Sequence, residues 1–444
     1  MAESAFQKII RVRSVDWAVL DESAFYEAIY ADSSLPNRRF YEIESSFRMD
    51  SQASVIFEKD SVTNKNKPKR KRKHHMSSNI TSDLRDVSVT LKKVLEKVVA
   101  MGAFTKKQHE PIPCSSVEAS VNFNNCLARQ LALTAASVPC PLSRYVKQQC
   151  IIKQNIREIP LNEEKKIIDD ILNELVMWVN AEPKVMIVEC KDEKFILPPF
   201  SSFIINDVCA SRALIRHGKR FDFILLDPPW ENKSVKRKTV YPTYEDRSWM
   251  FDLHIPELLT ELGLFAIWVT NNIRHFKFID DMIEYFGFEK IATWRWLKVT
   301  NDGEPVYSLN SQHKQPFESI VFASSSASHH MNIVDEFVLI RHIFQYSLNF
   351  IFDNKILIFQ SLIQFNKCLN LTIINFYYFW SVSNFFSTPS AIHSRKPPLL
   401  PVLQALGILE ELAVQLELYG RYLLPRTTTI GFEAAKLQNK RYFV

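Results

Sequence analysis

The sequence predicts an α/β protein in which a mainly helical N-terminal region precedes a domain built on a largely parallel, buried sheet. From about residue 81 to 180 the apolar residues recur at helical spacing, whereas from about 185 short apolar runs alternate with polar segments. In addition, 46% of the 444 residues are hydrophobic, which is enough for a large core. Helices are expected to cover both faces of such a sheet.

The first part of the chain divides by composition. Residues 1–60 mix aromatic and charged side chains and are expected to form a small ordered segment, and residues 61–80 are expected to be a disordered basic linker. Seven basic residues lie between Lys65 and Lys73, so the rest of the chain is near neutral although the net charge is +6. The run KPKRKRK is typical of a nuclear localisation signal, a nucleic-acid-binding arm or a solvated linker. We expect a nuclear protein, with cytoplasm and mitochondrion left open.

Several protein classes are disfavoured. The seven cysteines form no Cys-x-x-Cys pair, so we expect reduced thiols and no metal site. We expect no membrane span and no secretory signal, because no run of about 18 uncharged apolar residues occurs. The eight glycines include no Gly-x-Gly, which argues against a nicotinamide fingerprint or a P-loop.

Residues 81–184 are interpreted as a helical accessory region. Its clearest helical pattern is in LNEEKKIIDDILNELVMWVN, where apolar residues recur at three- and four-residue intervals. The residues that carry this pattern are Ile167, Ile168, Ile171, Leu172, Leu175 and Val176.

Residues 185–444 are interpreted as the α/β domain. Strands are expected at KVMIVEC, SSFIIND, FDFILLD, GLFAIWVT, ATWRWLKVT, ESIVFAS, LELYG and TTTIGF, and a helix at IRHFKFIDDMIEYF. Ligands bind beyond the carboxyl ends of parallel strands. Asp207, Asp227, Thr270 and Asn271 each follow an apolar run, so we expect them to gather at that edge.

An atypical insertion interrupts this domain at about 331–387. It contains no glycine, alanine or proline and is dominated by Phe, Ile, Leu, Asn, Ser and Tyr. Most of these residues have codons rich in A and T, so the segment is either a translated intron or a genuine insertion. A transcript that spans Ser324 to Pro389 distinguishes the two, and no functional residue is placed here.

The tetrapeptide DPPW, comprising Asp227, Pro228, Pro229 and Trp230, carries the strongest chemical signal. The amino nitrogen of adenine is a poor nucleophile because its lone pair is delocalised into the ring. Asp227 and the rigidly held carbonyl of Pro228 could accept its two N–H bonds and aim the lone pair at an electrophilic methyl group. The carboxylate would stabilise the positive charge that develops, and Trp230 would stack on the base.

Basic residues follow the motif directly. A base must leave a duplex or arrive single-stranded to reach such a site, so phosphates would lie nearby. We expect phosphate contacts from Lys233, Lys236, Arg237 and Lys238, although a solvated loop has the same composition.

The chain resembles the DPPW-type adenine-N6 methyltransferase family, of MT-A70 type. The segments that carry the resemblance are LPPFSSFIINDV, FDFILLDPPWENKSVKR, AIWVTNN, WRWLKVTNDGE, HKQPFES, AIHSRKPPL and ELYGR. The resemblance implies a Rossmann-like domain, dependent on S-adenosyl-L-methionine, with the catalytic motif ahead of the cofactor-binding motif. It implies that Asp227–Trp230 are catalytic and that Asp207 and Val208 meet the adenine of the methyl donor. It also puts His313 and Glu318 near the substrate.

The resemblance assigns further donor contacts near the C-terminus. Lys396 would reach the methionine carboxylate of the donor. Tyr419, Gly420 and Arg421 would form the turn beside the ribose, and Glu433 would bind the ribose hydroxyls. The sequence departs from the family pattern at two nearby positions, where Tyr422 replaces an asparagine and Phe432 replaces a polar ribose contact.

The sequence therefore predicts an enzyme that methylates N6 of adenine in DNA or in small nuclear RNA. The predicted partner is an adenine-containing nucleic acid, without a membrane, and a partner subunit is possible but not implied. One alternative is a catalytically inactive nucleic-acid-binding paralogue that acts as a partner subunit. Others are a methyltransferase of amide nitrogen in protein, whose motif is Asn-Pro-Pro-Tyr, and a plain interaction protein.

Overall fold

The computed structural model of the chain describes residues 5–14, 17–30, 80–104, 156–161, 175–190, 193–230, 248–299, 303–306, 308–309, 315–325, 384–387 and 395–443. The basic run, the residues Lys233, Lys236, Arg237, Lys238 and His313, and nearly all of the atypical insertion lie outside these ranges.

Strands dominate the described residues. Their bounds are β1 (Ile10–Arg13), β2 (Trp17–Leu20), β3 (Ile156–Pro160), β4 (Leu175–Val179), β5 (Met186–Cys190), β6 (Glu193–Leu197), β7 (Ser202–Ile204), β8 (Phe221–Leu226), β9 (Leu259–Val269), β10 (Phe288–Lys298), β11 (Phe317–Ser325), β12 (Asn384–Ser387), β13 (Gln415–Leu418) and β14 (Thr427–Ile430). Twelve of them form one sheet in the order β1-β2-β12-β10-β11-β9-β8-β13-β14-β7-β4-β3, while β5 and β6 form a separate pair.

The helices are short, apart from one. The α-helices are α1 (Glu22–Tyr30), α2 (Ile80–Ala100), α3 (Ser211–Arg216), α4 (Ile255–Leu258), α5 (Ile273–Tyr285) and α6 (Leu399–Ala405). Short 3-10 helices occupy Phe6–Lys8, Val208–Ala210, Ser248–Leu253, Lys436–Gln438 and Lys440–Tyr442. None of the helices in the described ranges is both long and apolar enough to span a bilayer.

The centre of the sheet is parallel, as expected. Strands β9, β8, β13, β14 and β7 are neighbours that all run in the same direction. The flanks are mixed, because β10 and β11 pair antiparallel with each other and β11 pairs antiparallel with β9. The connection from β10 to β11 contains no crossover helix among the described residues, which is consistent with an antiparallel return.

Strand β8, at the centre of the sheet, is largely apolar because both of its faces are covered. Phe223 and Leu225 of β8 face a core cluster that includes residues of α1 and α6. Ile224 and Leu226 face a second cluster, to which α3, α4 and α5 contribute. Each expected apolar run is confirmed as a strand, and IRHFKFIDDMIEYF is confirmed as the helix α5.

The expectation of a helical region over residues 81–184 is wrong for the described residues of its second half. Helix α2 lies within it, but Leu175–Val179 is a strand that pairs with β3 and β7. The sequence LVMWV is rich in β-branched and aromatic residues, and Leu175 and Met177 are buried whereas their neighbours are less so. Residues 162–174, which carry most of the helical pattern, lie outside the described residues.

Strands from both sides of the expected boundaries at 60 and 184 belong to one sheet. Strands β3 and β4 extend one end of the catalytic sheet, and β1 and β2 extend the other. Strand β2 reaches β10 through β12, which is formed by the last four residues of the atypical insertion. Helix α2 packs against this end through Leu91, Val94, Leu95 and Val98. Backbone pairing therefore unites the N-terminal segment and the α/β domain.

Candidate active site

The predicted site residues lie at one edge of the sheet. Asp207 follows β7, Asp227 follows β8, Thr270 follows β9, the turn 419–421 follows β13 and Glu433 follows β14. These five strands are parallel, so their carboxyl ends meet at the same edge. The gathering expected from the apolar runs is therefore confirmed.

The DPPW turn is fixed by its own backbone. The N–H of Asp227 donates to the carbonyl of Leu418 over 3.3 Å, which ties the motif to β13. The N–H of Trp230 donates to the carbonyl of Pro228 over 2.8 Å, and the two prolines have restricted φ. A carbonyl oxygen has two lone pairs, so that of Pro228 can accept one further hydrogen bond.

Trp230 does not offer the flat surface for a base that the sequence suggested. Its side chain is 8% exposed, its indole N–H donates to the carbonyl of Trp268 over 2.6 Å, and its ring stacks on His275 at 4.5 Å. The ring of His275 is in turn held by the hydroxyl of Thr270 at 2.6 Å. The indole therefore anchors the turn in the core, and these contacts do not favour the base-stacking role expected of it.

The carboxylate of Asp227 lies on the face of the sheet opposite to the Trp230 indole. It is at one end of a row of side chains whose charges alternate in sign. Its Oδ1 is 3.7 Å from the ammonium nitrogen of Lys396. Lys396 also donates a hydrogen bond to Glu318, and Lys298 donates to the other carboxylate oxygen of Glu318. Two acids and two lysines from four parts of the fold thus form one network without net charge.

The network favours the charged forms of Glu318 and Lys396 in spite of their burial. Burial raises the pKa of Asp227 above its usual range, and the ammonium of Lys396 opposes this rise. Burial alone would also raise the pKa of Glu318, but Lys298 and Lys396 outweigh it and hold that pKa well below the ordinary value. For Lys396, Asp227 and Glu318 outweigh burial and raise the pKa.

Two tryptophans orient the lysines. The ammonium of Lys298 lies 4.7 Å from the ring centre of Trp296, and that of Lys396 lies 5.1 Å from the ring centre of Trp268. The two indoles pack edge to face at 5.7 Å. Such contacts restrict a flexible lysine by cation–π attraction. Lys298 was not identified from the sequence, because a single lysine at the end of a strand has no distinctive signal.

The residues expected to bind the methyl donor line the same edge. Asp207 caps a 3-10 turn by accepting the N–H of Cys209 over 2.9 Å, and Val208 is buried. Glu433 is engaged by Arg421 at 3.2 Å and by Lys436 at 2.6 Å. In the described residues, therefore, this carboxylate has cationic partners of its own.

The turn after β13 needs a glycine. Tyr419 has a φ of 70°, in the left-handed region, and the residue after it, Gly420, lies against β14. A Cβ on Gly420 would be 2.5 Å from the methyl group of Thr429 and 3.1 Å from the carboxyl carbon of Glu417. The absence of a side chain lets the turn pack closely on Thr429 and Glu417.

The family departure at Tyr422 has a structural role. The side chain is buried, and its hydroxyl donates to the main-chain carbonyl of Lys396 over 2.8 Å. The guanidinium of Arg395 lies between the rings of Tyr26 and Tyr422, at 4.7 Å and 4.6 Å. The second departure, Phe432, is 44% exposed.

In the described ranges no group of three or more acidic, histidine or cysteine side chains could bind a metal ion.

The comparisons with known proteins agree with this geometry. The model of the MT-A70 family matches residues 221–371. A protein of Caenorhabditis elegans named DNA N6-methyl methyltransferase is 31% identical over 434 residues, covering 96% of this chain and 98% of that protein. The human N(6)-adenine-specific methyltransferase METTL4 is 30% identical over 259 residues, 58% of this chain and 47% of that protein. The N6-methyladenosine RNA methyltransferase MTA1 of Pyricularia oryzae is 34% identical over 145 residues, 30% of this chain and 39% of that protein.

Proposed function

The chain belongs to the MT-A70 family, and from this premise we propose that it is an S-adenosyl-L-methionine-dependent methyltransferase acting on N6 of adenine in nucleic acid. The observation that carries the proposal is the position of Asp227. It follows the central parallel strand β8, within a largely buried network of charges, and its backbone is tied to β13. The names of the relatives support the same activity.

The proposed chemistry depends on hydrogen-bond acceptors. An ionised Asp227 accepts one N–H of the adenine amino group, and the free lone pair of the Pro228 carbonyl accepts the other. Lys396 favours the ionised form of Asp227, because its ammonium opposes the rise in pKa that burial causes. The carboxylate then stabilises the positive charge that develops on nitrogen during methyl transfer. Trp230 contributes by holding the turn in position.

S-adenosyl-L-methionine would supply the electrophilic methyl group. Asp207, Val208, Arg421 and Glu433 follow neighbouring strands at one edge of the sheet, and a row of polar groups at that edge suits an elongated, polar donor. The strand order supports a Rossmann-like domain with permuted motifs, because β13 and β14, late in the chain, lie between β8 and β7. The nucleic acid substrate is proposed to be DNA or small nuclear RNA.

Labelled donor provides the direct test. The protein is incubated with DNA and with RNA in parallel, the polymers are digested, and the nucleosides are separated by mass spectrometry. We expect label in N6-methyladenine or an N6-methylated adenosine, and none with Asp227→Ala or Asp227→Asn. Exposed Asp281→Asn is the matched control. Full activity of Asp227→Asn would contradict the role of the carboxylate.

An inactive, nucleic-acid-binding paralogue is the second candidate. It is favoured by the contacts of Lys396 with Asp227 and Glu318 and of Glu433 with Arg421 and Lys436, because these groups satisfy each other. Calorimetric titration with S-adenosyl-L-methionine separates the two functions, because an inactive subunit of this kind would not bind the donor.

Nuclear location is proposed from the run KPKRKRK, which lies outside the described residues. A fluorescent fusion of the full chain should accumulate in nuclei, and replacement of the basic residues between Lys65 and Lys73 by alanine should remove that accumulation. An unchanged distribution would contradict this part of the proposal.

A further inference from the structure

A row of polar side chains is buried under the donor side of the site. Gln415 and Glu417 of β13 lie beside Thr427 and Thr429 of β14, and each of the four is at most 5% exposed. Alternate residues of a strand share a face, and the partners of Gln415 and Glu417 on β8 are Phe223 and Leu225. The row therefore faces the same core as those two apolar residues, where a polar side chain has no access to bulk water.

Glu417 occupies the end of this row that is nearest to the site. It pairs in register with Leu225, two residues before Asp227, on the neighbouring strand and the same face. On its other side, its carboxyl carbon lies directly beneath Gly420, as the short distance of 3.1 Å to a Cβ built on that glycine shows. Glu417 thus lies under both the catalytic acid and the turn of residues 419–421.

Among the described residues, the oxygen Oε2 of Glu417 has no hydrogen-bond partner. Both side-chain polar atoms of Gln415 and the hydroxyl of Thr429 are in the same situation. A buried carboxylate without a partner is costly, so the uncharged acid is the favoured form. The ionisable groups around it are Asp227 after β8, Arg395 before α6 and Tyr422 after β13.

Electrostatics agree with this geometry. Burial, with the charge of Asp227, raises the pKa of Glu417 to about 8, and Arg395 only partly opposes the rise. A glutamate that is protonated in the folded protein at neutral pH must take up a proton on folding. It therefore lowers the stability of the fold relative to a side chain that never ionises, such as glutamine. Perturbed acids of this kind cluster at functional sites.

We propose that Glu417 is a positioning residue of the donor site, a buried uncharged acid that supports the turn of Tyr419, Gly420 and Arg421 from below and leaves the local negative charge on Asp227. The inference rests on the proposed function. Ionisation of Glu417 would place a second negative charge beside Asp227 and under the turn, so the turn would lose its support and the donor its binding surface.

Calorimetry at several pH values tests this inference. The affinity of the full chain for S-adenosyl-L-methionine is measured from pH 7 to pH 9, with wild type and Glu417→Gln, which is always neutral. At pH 9 about ten ionised glutamates exist for each protonated one, given a pKa of about 8. We therefore expect wild type to bind the donor about tenfold more weakly at pH 9 than at pH 7, beyond any change seen in Glu417→Gln.

The comparison with Glu417→Gln cancels any effect of titration of the donor itself. Gln415→Met, in the same row but farther from Asp227, is the matched control and should keep the pH dependence of wild type. In addition, urea unfolding at pH 8 should show Glu417→Gln to be at least as stable as wild type, which establishes that it folds.

The outcomes are distinct. Equal pH dependence of donor binding in wild type and Glu417→Gln would overturn the role of Glu417 and leave the proposed function intact. A wild type that binds no donor at pH 7 would overturn the proposed function, and the inference with it.

Discussion

The hydroxyl of Tyr422 donates a hydrogen bond to the main-chain carbonyl of Lys396, with 2.8 Å between the two oxygens. The contact joins the segment that follows β13 to the residue whose ammonium lies beside Asp227. An asparagine, which the family resemblance would place at this position, has a shorter side chain. Tyr422, which stands where the family has an asparagine, therefore supports the backbone at Lys396.

Replacing Tyr422 by phenylalanine should test that support. The variant leaves a buried carbonyl without its donor, so we expect a loss of about 1–3 kcal/mol in the free energy of unfolding. Affinity for S-adenosyl-L-methionine should fall in parallel, because Lys396 is no longer held. Urea unfolding and calorimetry measure the two effects. Tyr285→Phe, at an exposed ring, is the control, and an unchanged affinity in Tyr422→Phe would contradict the connection to Lys396.

Lys298→Met should impair catalysis by releasing Glu318. A hydrogen bond to a charged group is worth about 1.5–3 kcal/mol, so kcat/KM should decrease by roughly tenfold or more. Methionine preserves the packing on Trp296 but carries no charge. Lys290→Met, at the exposed start of the same strand where the lysine pairs with Asp280, should leave the kinetics unchanged. Equal activity of the two variants would show that Lys298 has no role in the reaction.

Glu318 should make the protein sensitive to acid. Its folded-state pKa is lowered by Lys298 and Lys396, from an ordinary value of 4.5. A lowered carboxyl pKa contributes stability that is complete above that ordinary value and is lost as the pH falls below it. The midpoint of urea unfolding between pH 6 and pH 3 should therefore decline more steeply for wild type than for Glu318→Gln, with most of the difference below pH 4.5. Glu284→Gln, on an exposed face of α5, should decline as wild type does.

Trp230 should behave as a core residue in mutants. Trp230→Phe removes the hydrogen bond to the carbonyl of Trp268, and Trp230→Ala also leaves a cavity against His275. We expect losses in unfolding free energy of about 1–3 kcal/mol and about 3–5 kcal/mol respectively. A base-stacking platform would instead give a raised KM for nucleic acid with little change in stability, so thermal unfolding and steady-state kinetics together separate the roles.

The strands and the catalytic motif could be predicted because they depend on local sequence. Runs such as FDFILL are almost entirely apolar because both of their faces are largely buried, and a polar residue directly after such a run marks the strand end. The family followed from DPPW and its neighbours, and the relatives confirm it.

The remaining features depend on contacts between distant parts of the chain. The segment LVMWV has an apolar pattern that fits a helix or a strand, and its pairing with β3 and β7 decides for the strand. Trp230 was assigned to the base because its burial against His275 could not be read from the motif. Lys298 and Glu417 are ordinary residues in the sequence, and only the register of β10 with β11 and of β8 with β13 gives them a place in the site.

The pairing of β8 with β13 has a consequence for the order in which the site is made. Leu226 lies opposite Leu418, and the N–H of Asp227 is bonded to the carbonyl of that same leucine. Synthesis proceeds from the N-terminus, so the catalytic tetrapeptide leaves the ribosome long before the strand that fixes its backbone. A chain that stops before Gln415 would contain the entire motif but no assembled site. The presence of DPPW in a truncated product is therefore no sign of activity.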